Sequence, residues 1–203
     1  MHNDVLDAIR SRRSIRQFQD KPVETPVIET LLEAGRLAPT AMGKQACHFL
    51  VVTDHEVIAK LSTMCVDLVT FVMKNAWITK WFVPVARDKE FRKVVLSRRG
   101  GREDPVYYKA PCIIALAAPK DNHHGEADCM VAAENIMLAA TSLGLGTVLV
   151  GYGAVFGRRK EGRELVGLPK DMDVHGVVCV GYPEKEPEGA PERKENLIGW
   201  VGE

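Results

Sequence analysis

Apolar residues recur at helical spacing from the start of the chain. In "NDVLDAIRSR" Val5, Leu6 and Ile9 share one face, and Asn3 stands where a cap belongs. "KPVETPVIETLLEAGRLAPT" predicts a second helix, with Thr25 as cap, Pro26 at the first helical position and Pro39 marking the end. Val27, Ile28, Leu31 and Leu32 supply its buried stripe. The β-branched run "HFLVVT" (48–53) predicts a short strand, followed by a helix from about Glu56. "APCIIALAA" (110–118) is apolar throughout and predicts a buried strand. "EADCMVAAENIMLAATSLGLG" reads as a long, largely buried helix stopped by Gly144 or Gly146. "TVLVGYG" is a strand or extended segment, "RRKEGRELVG" a short helix and "DVHGVVCVGYP" a last buried strand. Two helices precede the first strand, so the pattern predicts a sheet with helices on both faces and not a simple doubly wound order.

Two segments fit this pattern less well. Residues 65–105 contain "VDLVTFVMKNAWITKWF" and then the strongly charged "RDKEFRKVVLSRRGGRED", which together predict a helical insertion or lid ending in a loop. The tail at 184–203 is rich in Pro and charge until Leu197, Ile198 and Trp200, which must dock on something. The whole of 1–203 is read as one domain, long enough to bury its own core.

Charge narrows the partners. Lys and Arg number 27 against 27 Asp and Glu, so nothing drives general binding to nucleic acid or anionic membrane, and any anion site must be local. No apolar run reaches the ~20 residues that span a bilayer, and the N-terminus lacks a signal-peptide core. The cysteines at 47, 65, 112, 129 and 179 are scattered and form no CxxC, which points to a reducing, cytoplasmic setting. "DNHHGEADC" gathers His123, His124, Glu126, Asp128 and Cys129, but the spacing fits no standard zinc pattern and reads as a polar turn entering a helix; no metal is expected.

Against neutral charge, "RRSIR" (12–16) is anomalous. In an extended turn leaving the first helix, Arg12, Ser14 and Arg16 would project to one side, and guanidinium forks plus a hydroxyl suit a phosphate monoester. A solvated helix end is the plain alternative. Three further stretches allow close approach of a ligand but are also compatible with ordinary loops. They are "LAPTAMGKQACHF" (37–49), the glycine-flanked "LGLGTVLVGYG" (143–153) and "GAPERKE" in the tail. The second matches neither GxGxxG nor the P-loop pattern.

Taken in order, "AIRSRRSIRQFQDKPV", "LAPTAMGKQACHFLVV", "YKAPCIIALAA", "AAENIMLAATSLGLGT" and "VGYPEKEP…ERK" resemble the nitroreductase family of FMN-dependent flavoproteins. The resemblance implies an α+β fold with a central mixed, mostly antiparallel sheet flanked by helices, in an intertwined homodimer whose two flavin pockets each use both chains. It implies that Arg12, Arg13 and Ser14 contact phosphate and ribityl groups, with Arg193 and Lys194 completing the phosphate site. Arg16 would lie nearer the pyrimidine side, where a cation favours the reduced ring. Pro39, Thr40, Ala41 and Gln45 would line the flavin. Leu149, Val150 and Gly151 would pass along the ring, with the Gly151 N–H as donor to flavin N5. The implied chemistry is ping-pong hydride transfer from NAD(P)H through FMN to a small electron-poor acceptor, with no side-chain nucleophile.

Departures from the family pattern are local. Where Pro-Ser-Ala-x-Asn-x-Gln-Pro-Trp is common, this chain has Thr40, Gly43, Gln45, Ala46 and Cys47, which removes an asparagine contact and local bulk. Cys47 is expected to be a small buried hydrophobe. Trp77, Trp81 and Phe82 are lid candidates, and Leu197, Ile198 and Trp200 would pack on the partner subunit. Reductive dehalogenation, flavin cleavage and simple flavin storage are the alternatives within this fold.

Overall fold

The computed structural model describes residues 3–79, 87–90, 93, 104–185, 189, 190, 192 and 202. Helix α1 (Asp4–Ser11) starts where expected, because Asn3 Oδ1 accepts the N–H groups of Val5 and Leu6 at 3.0 and 3.2 Å. Helix α2 (Thr25–Arg36) corrects the sequence reading by one residue: Glu24 is the cap, and Thr25 is already helical. Glu24 gives the helix no side-chain hydrogen bond; its carboxylate accepts the Tyr182 hydroxyl at 2.6 Å. Pro26, with its fixed φ, stabilises the first turn instead.

Strand β1 (His48–Val52) leads through Asp54, which caps α3 (His55–Lys74) by accepting from Glu56 and Val57. Helix α3 runs unbroken through residue 65 and is followed by the short α4 (Ala76–Thr79). Then come β2 (Cys112–Pro119), α5 (Gly125–Ser142), β3 (Gly146–Val150), a 3-10 segment (Tyr152–Arg158), α6 (Lys160–Leu165) and β4 (Met172–Gly181). Of the two glycines proposed to stop α5, Gly144 does so. At φ +74° it lets its own N–H reach the Thr141 carbonyl and the Leu145 N–H reach that of Ala140.

The strands form one antiparallel sheet in the order β1-β2-β4-β3. The parallel component enters at the edge, through an isolated bridge between Ser14 and Thr147. Successive residues of β2 face opposite layers. Ile114, Leu116 and Ala118 join the core under α2 and α5, while Ile113 and Ala115 join the core under α3 and the 3-10 segment. Both faces of β2, and of β4 from Gly176 to Gly181, are therefore covered, which is why these stretches read as continuous apolar runs. No helix among the described residues is long and apolar enough to cross a membrane.

Candidate functional site

The basic segment leaves α1 and lies against the free edge of β3. Ile15 N donates to the Thr147 carbonyl at 2.9 Å beside the Ser14–Thr147 bridge. Gly146 makes this approach possible, because a Cβ there would lie 2.7 Å from Ile15 Cγ1. The three arginines do not act as one cluster. Arg12 turns toward α5, its Nε 3.6 Å from Glu134 Oε1. Arg13 folds back on the end of α1, donating from Nη1 to the carbonyls of Arg10 and Arg12, both at 2.7 Å. Arg16 is exposed and stands 5.9 Å from the centroid of the Tyr108 ring. Ser14 is exposed between them. Two buried polar atoms at this seam, Arg13 Nε and Thr147 Oγ1, have no hydrogen-bond partner among the described residues.

Along the same strand, Leu149 and Val150 lead to Gly151, which is exposed; among the described residues a Cβ there would meet nothing within 4 Å. The backbone beyond it is held by the turn at 104–109. Tyr107 donates its hydroxyl to the Gly153 carbonyl, and Tyr152 donates to that of Pro105, both at 2.6 Å. Asp104 organises the turn by accepting from Ser62 Oγ, Val106 N and Tyr107 N on one oxygen and from Lys109 N on the other. These bonds hold Tyr108 and Lys109 at φ +59° and +56°, a left-handed conformation that side chains rarely adopt. Burial holds the Tyr107 phenol well above its ordinary pKa, so it remains a donor.

The second motif sits elsewhere, on the first turns of α5. Ala41 N donates to Asp128 Oδ1 at 3.0 Å, and Gln45 N donates to Thr40 Oγ1 at 3.0 Å. Thr40, Gln45 and Cys47 line a cavity of about 350 Å³ together with Gly35, Arg36 and Phe49. Asp128 is buried and its Oδ2 lacks a partner among the described residues. Cys47 packs against the core under α2 and α5 as a small apolar group would, but it is only partly buried, and its Sγ lies 3.4 Å from that of Cys129. The hydrogen bond from Cys129 draws the Cys47 thiol below its usual pKa, and the same bond, with burial, pushes Cys129 up.

The structure thus seats Ser14 and Ile15 on β3 at Thr147, in the strand that runs on to Leu149, Val150 and Gly151, while Arg12, Arg13 and Arg16 turn to Glu134, the end of α1 and Tyr108; Pro39, Thr40, Ala41 and Gln45 lie in a separate loop on α5. Trp77 is exposed, whereas Trp81, Phe82, Arg193, Lys194, Leu197, Ile198 and Trp200 lie outside the described residues. Among the described residues no group of His, Cys, Asp and Glu is arranged to hold a metal ion. Sequence reasoning missed Asp104 and Tyr107, and met Asp128 only as a dismissed metal candidate and not as the acceptor for Ala41 N. The Asp-Pro pair before two tyrosines marks a turn, but nothing local couples Asp128 to Ala41.

Residues 9–182 match the family model described as "Nitroreductase family". An Archaeoglobus fulgidus relative with the provisional name NADH dehydrogenase/NAD(P)H nitroreductase is 34% identical over 90% of this chain and 87% of its own. FMN reductase [NAD(P)H] of Bacillus subtilis is 26% identical over 97% of this chain and 72% of its own. The crystal structure of a nitroreductase with bound FMN from Bacteroides fragilis superimposes with a TM-score of 0.71 at 26% identity, covering 97% of this chain and 96% of that one.

Proposed function

The chain belongs to the nitroreductase family, and from that premise we propose that it is an FMN-dependent oxidoreductase that takes reducing equivalents from NAD(P)H and passes them to a small electron-poor acceptor. The observation that carries this reading is the Ser14–Thr147 bridge, which lays a cationic, hydroxyl-bearing segment along the strand that ends in the open Gly151. The donor set fits a flavin mononucleotide. Arg12, Ser14 and Arg16 offer cations and a hydroxyl, and the orphaned Arg13 Nε and Thr147 Oγ1 mark unused hydrogen-bonding capacity at the same seam.

When bound, FMN supplies two-electron hydride chemistry between the nicotinamide and the acceptor. Arg12 and Ser14, with Arg13 supporting the end of α1, would hold the phosphate; Arg193 and Lys194, which the family resemblance adds to that side, lie outside the described residues. Arg16 places positive charge beside the pyrimidine edge. Leu149, Val150 and Gly151 would present backbone to the ring, and the Gly151 N–H would serve as its hydrogen-bond donor. Pro39, Thr40, Ala41 and Gln45 close the pocket from the second chain of a homodimer. Support for that partner is the apolar surface left open on α1 and beside α2: Val5, Ile9, Leu37 and Met42 are 63%, 50%, 73% and 88% exposed. The enzyme works in the cytoplasm.

The test is spectroscopic. Purified protein should show flavin absorbance that acid releases as free FMN, and anaerobic NADH or NADPH should bleach it. A colourless protein that FMN does not reconstitute overturns the reading.

A further inference from the structure

Two thiols in contact, one of them open to a cavity, form a reactive site that hydride chemistry does not use. Cys47 precedes β1 and lines the cavity of about 350 Å³, whereas Cys129 lies in α5 with no exposed surface. A hydroperoxide is little larger than water, whose share of liquid volume is about 30 Å³, so it fits easily. We propose that Cys47 and Cys129 are a peroxide-sensitive pair in which Cys47 is oxidised first and Cys129 resolves it into an intrachain disulfide.

The chemistry balances in two steps with hydrogen peroxide as oxidant. The Cys47 thiolate attacks one peroxide oxygen; the S–O bond forms, the O–O bond breaks, and hydroxide leaves to become water, with two electrons passing from sulfur to peroxide. Cys129 sulfur then attacks Cys47 sulfur; the S–S bond forms, the S–O bond breaks, and the departing hydroxide takes the Cys129 proton as water. The sulfurs start 3.4 Å apart and must close by about 1.4 Å to reach bonding distance.

Selectivity follows from the surroundings of the other thiols. Cys65, Cys112 and Cys179 have no exposed surface, and burial raises all three above the usual thiol pKa, Cys112 to about 12. Cys47 alone combines partial exposure with a depressed pKa. The bond would also have a mechanical effect. Asp128 Oδ1 already holds Ala41, so a disulfide at the adjacent Cys129 would pin both ends of the segment from Ala41 to Cys47 to α5. Thr40 and Gln45 belong to that segment, but formation of the bond does not depend on their place in a cofactor pocket.

Thiol counting by mass on the full chain tests this. Protein is treated with a small molar excess of hydrogen peroxide, then denatured and labelled with N-ethylmaleimide. Wild type should fall from five labelled cysteines to three, with a Cys47–Cys129 cross-linked peptide in the digest. Cys129→Ser should stop at a Cys47 sulfenic acid captured by dimedone, and Cys47→Ser should keep every remaining thiol labelled. Retention of five labels in wild type, paired loss in Cys47→Ser, a disulfide between chains, or first oxidation at Cys65, Cys112 or Cys179 would each overturn the proposal.

Discussion

Tyr107 donates its hydroxyl to the Gly153 carbonyl across 2.6 Å, tying the 104–109 turn to backbone two residues past Gly151. Tyr107→Phe leaves that buried carbonyl without its main donor and should cost about 1–3 kcal/mol. Cys65 Sγ, 3.3 Å from the same oxygen, keeps the loss toward the lower end. The pH dependence has a definite sign. Below the ordinary phenol pKa the group is neutral in both states and its contribution is fully present. Above it the unfolded chain releases a proton that the folded chain retains, so stability falls as pH rises, by up to about 1.4 kcal/mol per unit. Cys112 and Cys179, also raised by burial, contribute alike in both proteins. Urea unfolding across the alkaline range should therefore give a steeper decline for wild type than for Tyr107→Phe.

Gly146 tests how the basic segment is seated. An added methyl would lie 2.7–2.9 Å from three atoms of Ile15, all at or next to its Cβ, so the side chain cannot swing clear. Gly146→Ala should push residues 14–15 off β3, cost about 1–3 kcal/mol and weaken retention of FMN. Thermal melting and a flavin-to-protein absorbance ratio measure the two effects; normal stability with full flavin would show that the bridge is not needed.

Arg12→Ala separates binding from folding. Among the described residues the guanidinium pairs with the half-exposed carboxylate of Glu134 at 3.6 Å, and such pairs contribute about 0–1 kcal/mol. The melting temperature should barely move. A charge-assisted hydrogen bond to phosphate contributes about 1.5–3 kcal/mol, so the FMN dissociation constant should rise about tenfold to a hundredfold. Fluorescence titration of the apoprotein reads this directly.

How far the sequence discloses this arrangement depends on the range of the interactions. Asn3 and Gly144 act within a few residues, so one helix start and one helix stop are legible from letters alone. Thr25 misleads because a threonine is the better side-chain cap by type, whereas the residue found there, Glu24, caps with its extended backbone and spends its carboxylate on Tyr182, far along the chain. The run of arginines singles out one segment but hides how its members differ: Arg13 serves the carbonyls of α1 while Arg12 and Arg16 face other groups. Cys47 and Cys129 are 82 residues apart, and no periodicity announces their contact. Local order is written locally; the pairings that shape the site are set by the crossing of α5 over the sheet.

Alkylation of Cys47 should report its neighbours. The Cys129 hydrogen bond lowers the Cys47 pKa, while the Asp128 carboxylate raises it. Cys129→Ala removes the stabilising donor and should shift the pH midpoint of iodoacetamide labelling upward. Asp128→Asn keeps an acceptor for Ala41 N but removes the charge, and should shift it downward. Opposite shifts, followed by peptide mass spectrometry, are expected; a midpoint unmoved by either change would mean that neither group acts on the thiol.

Gly151 offers the sharpest test of how the chain handles the cofactor. Its φ of −64° is the value proline prefers, the preceding Val150 is in a strand, as a residue before proline favours, and an added Cβ would meet none of the described residues within 4 Å. Gly151→Pro therefore removes the N–H with little backbone strain, and the Gly151 carbonyl can still accept from Ala154 N at 3.1 Å. Gly151→Ala adds comparable bulk near the backbone while keeping the donor. Both variants should fold with melting temperatures close to wild type and retain FMN. In anaerobic stopped-flow with NAD(P)H, Gly151→Pro should bleach its flavin at least about tenfold more slowly, the cost of one lost directed hydrogen bond of about 1.4 kcal/mol, and Gly151→Ala should stay near wild type. Equal slowing in both would assign the effect to bulk, and no slowing in Gly151→Pro would move the donor to another residue of the β3 end.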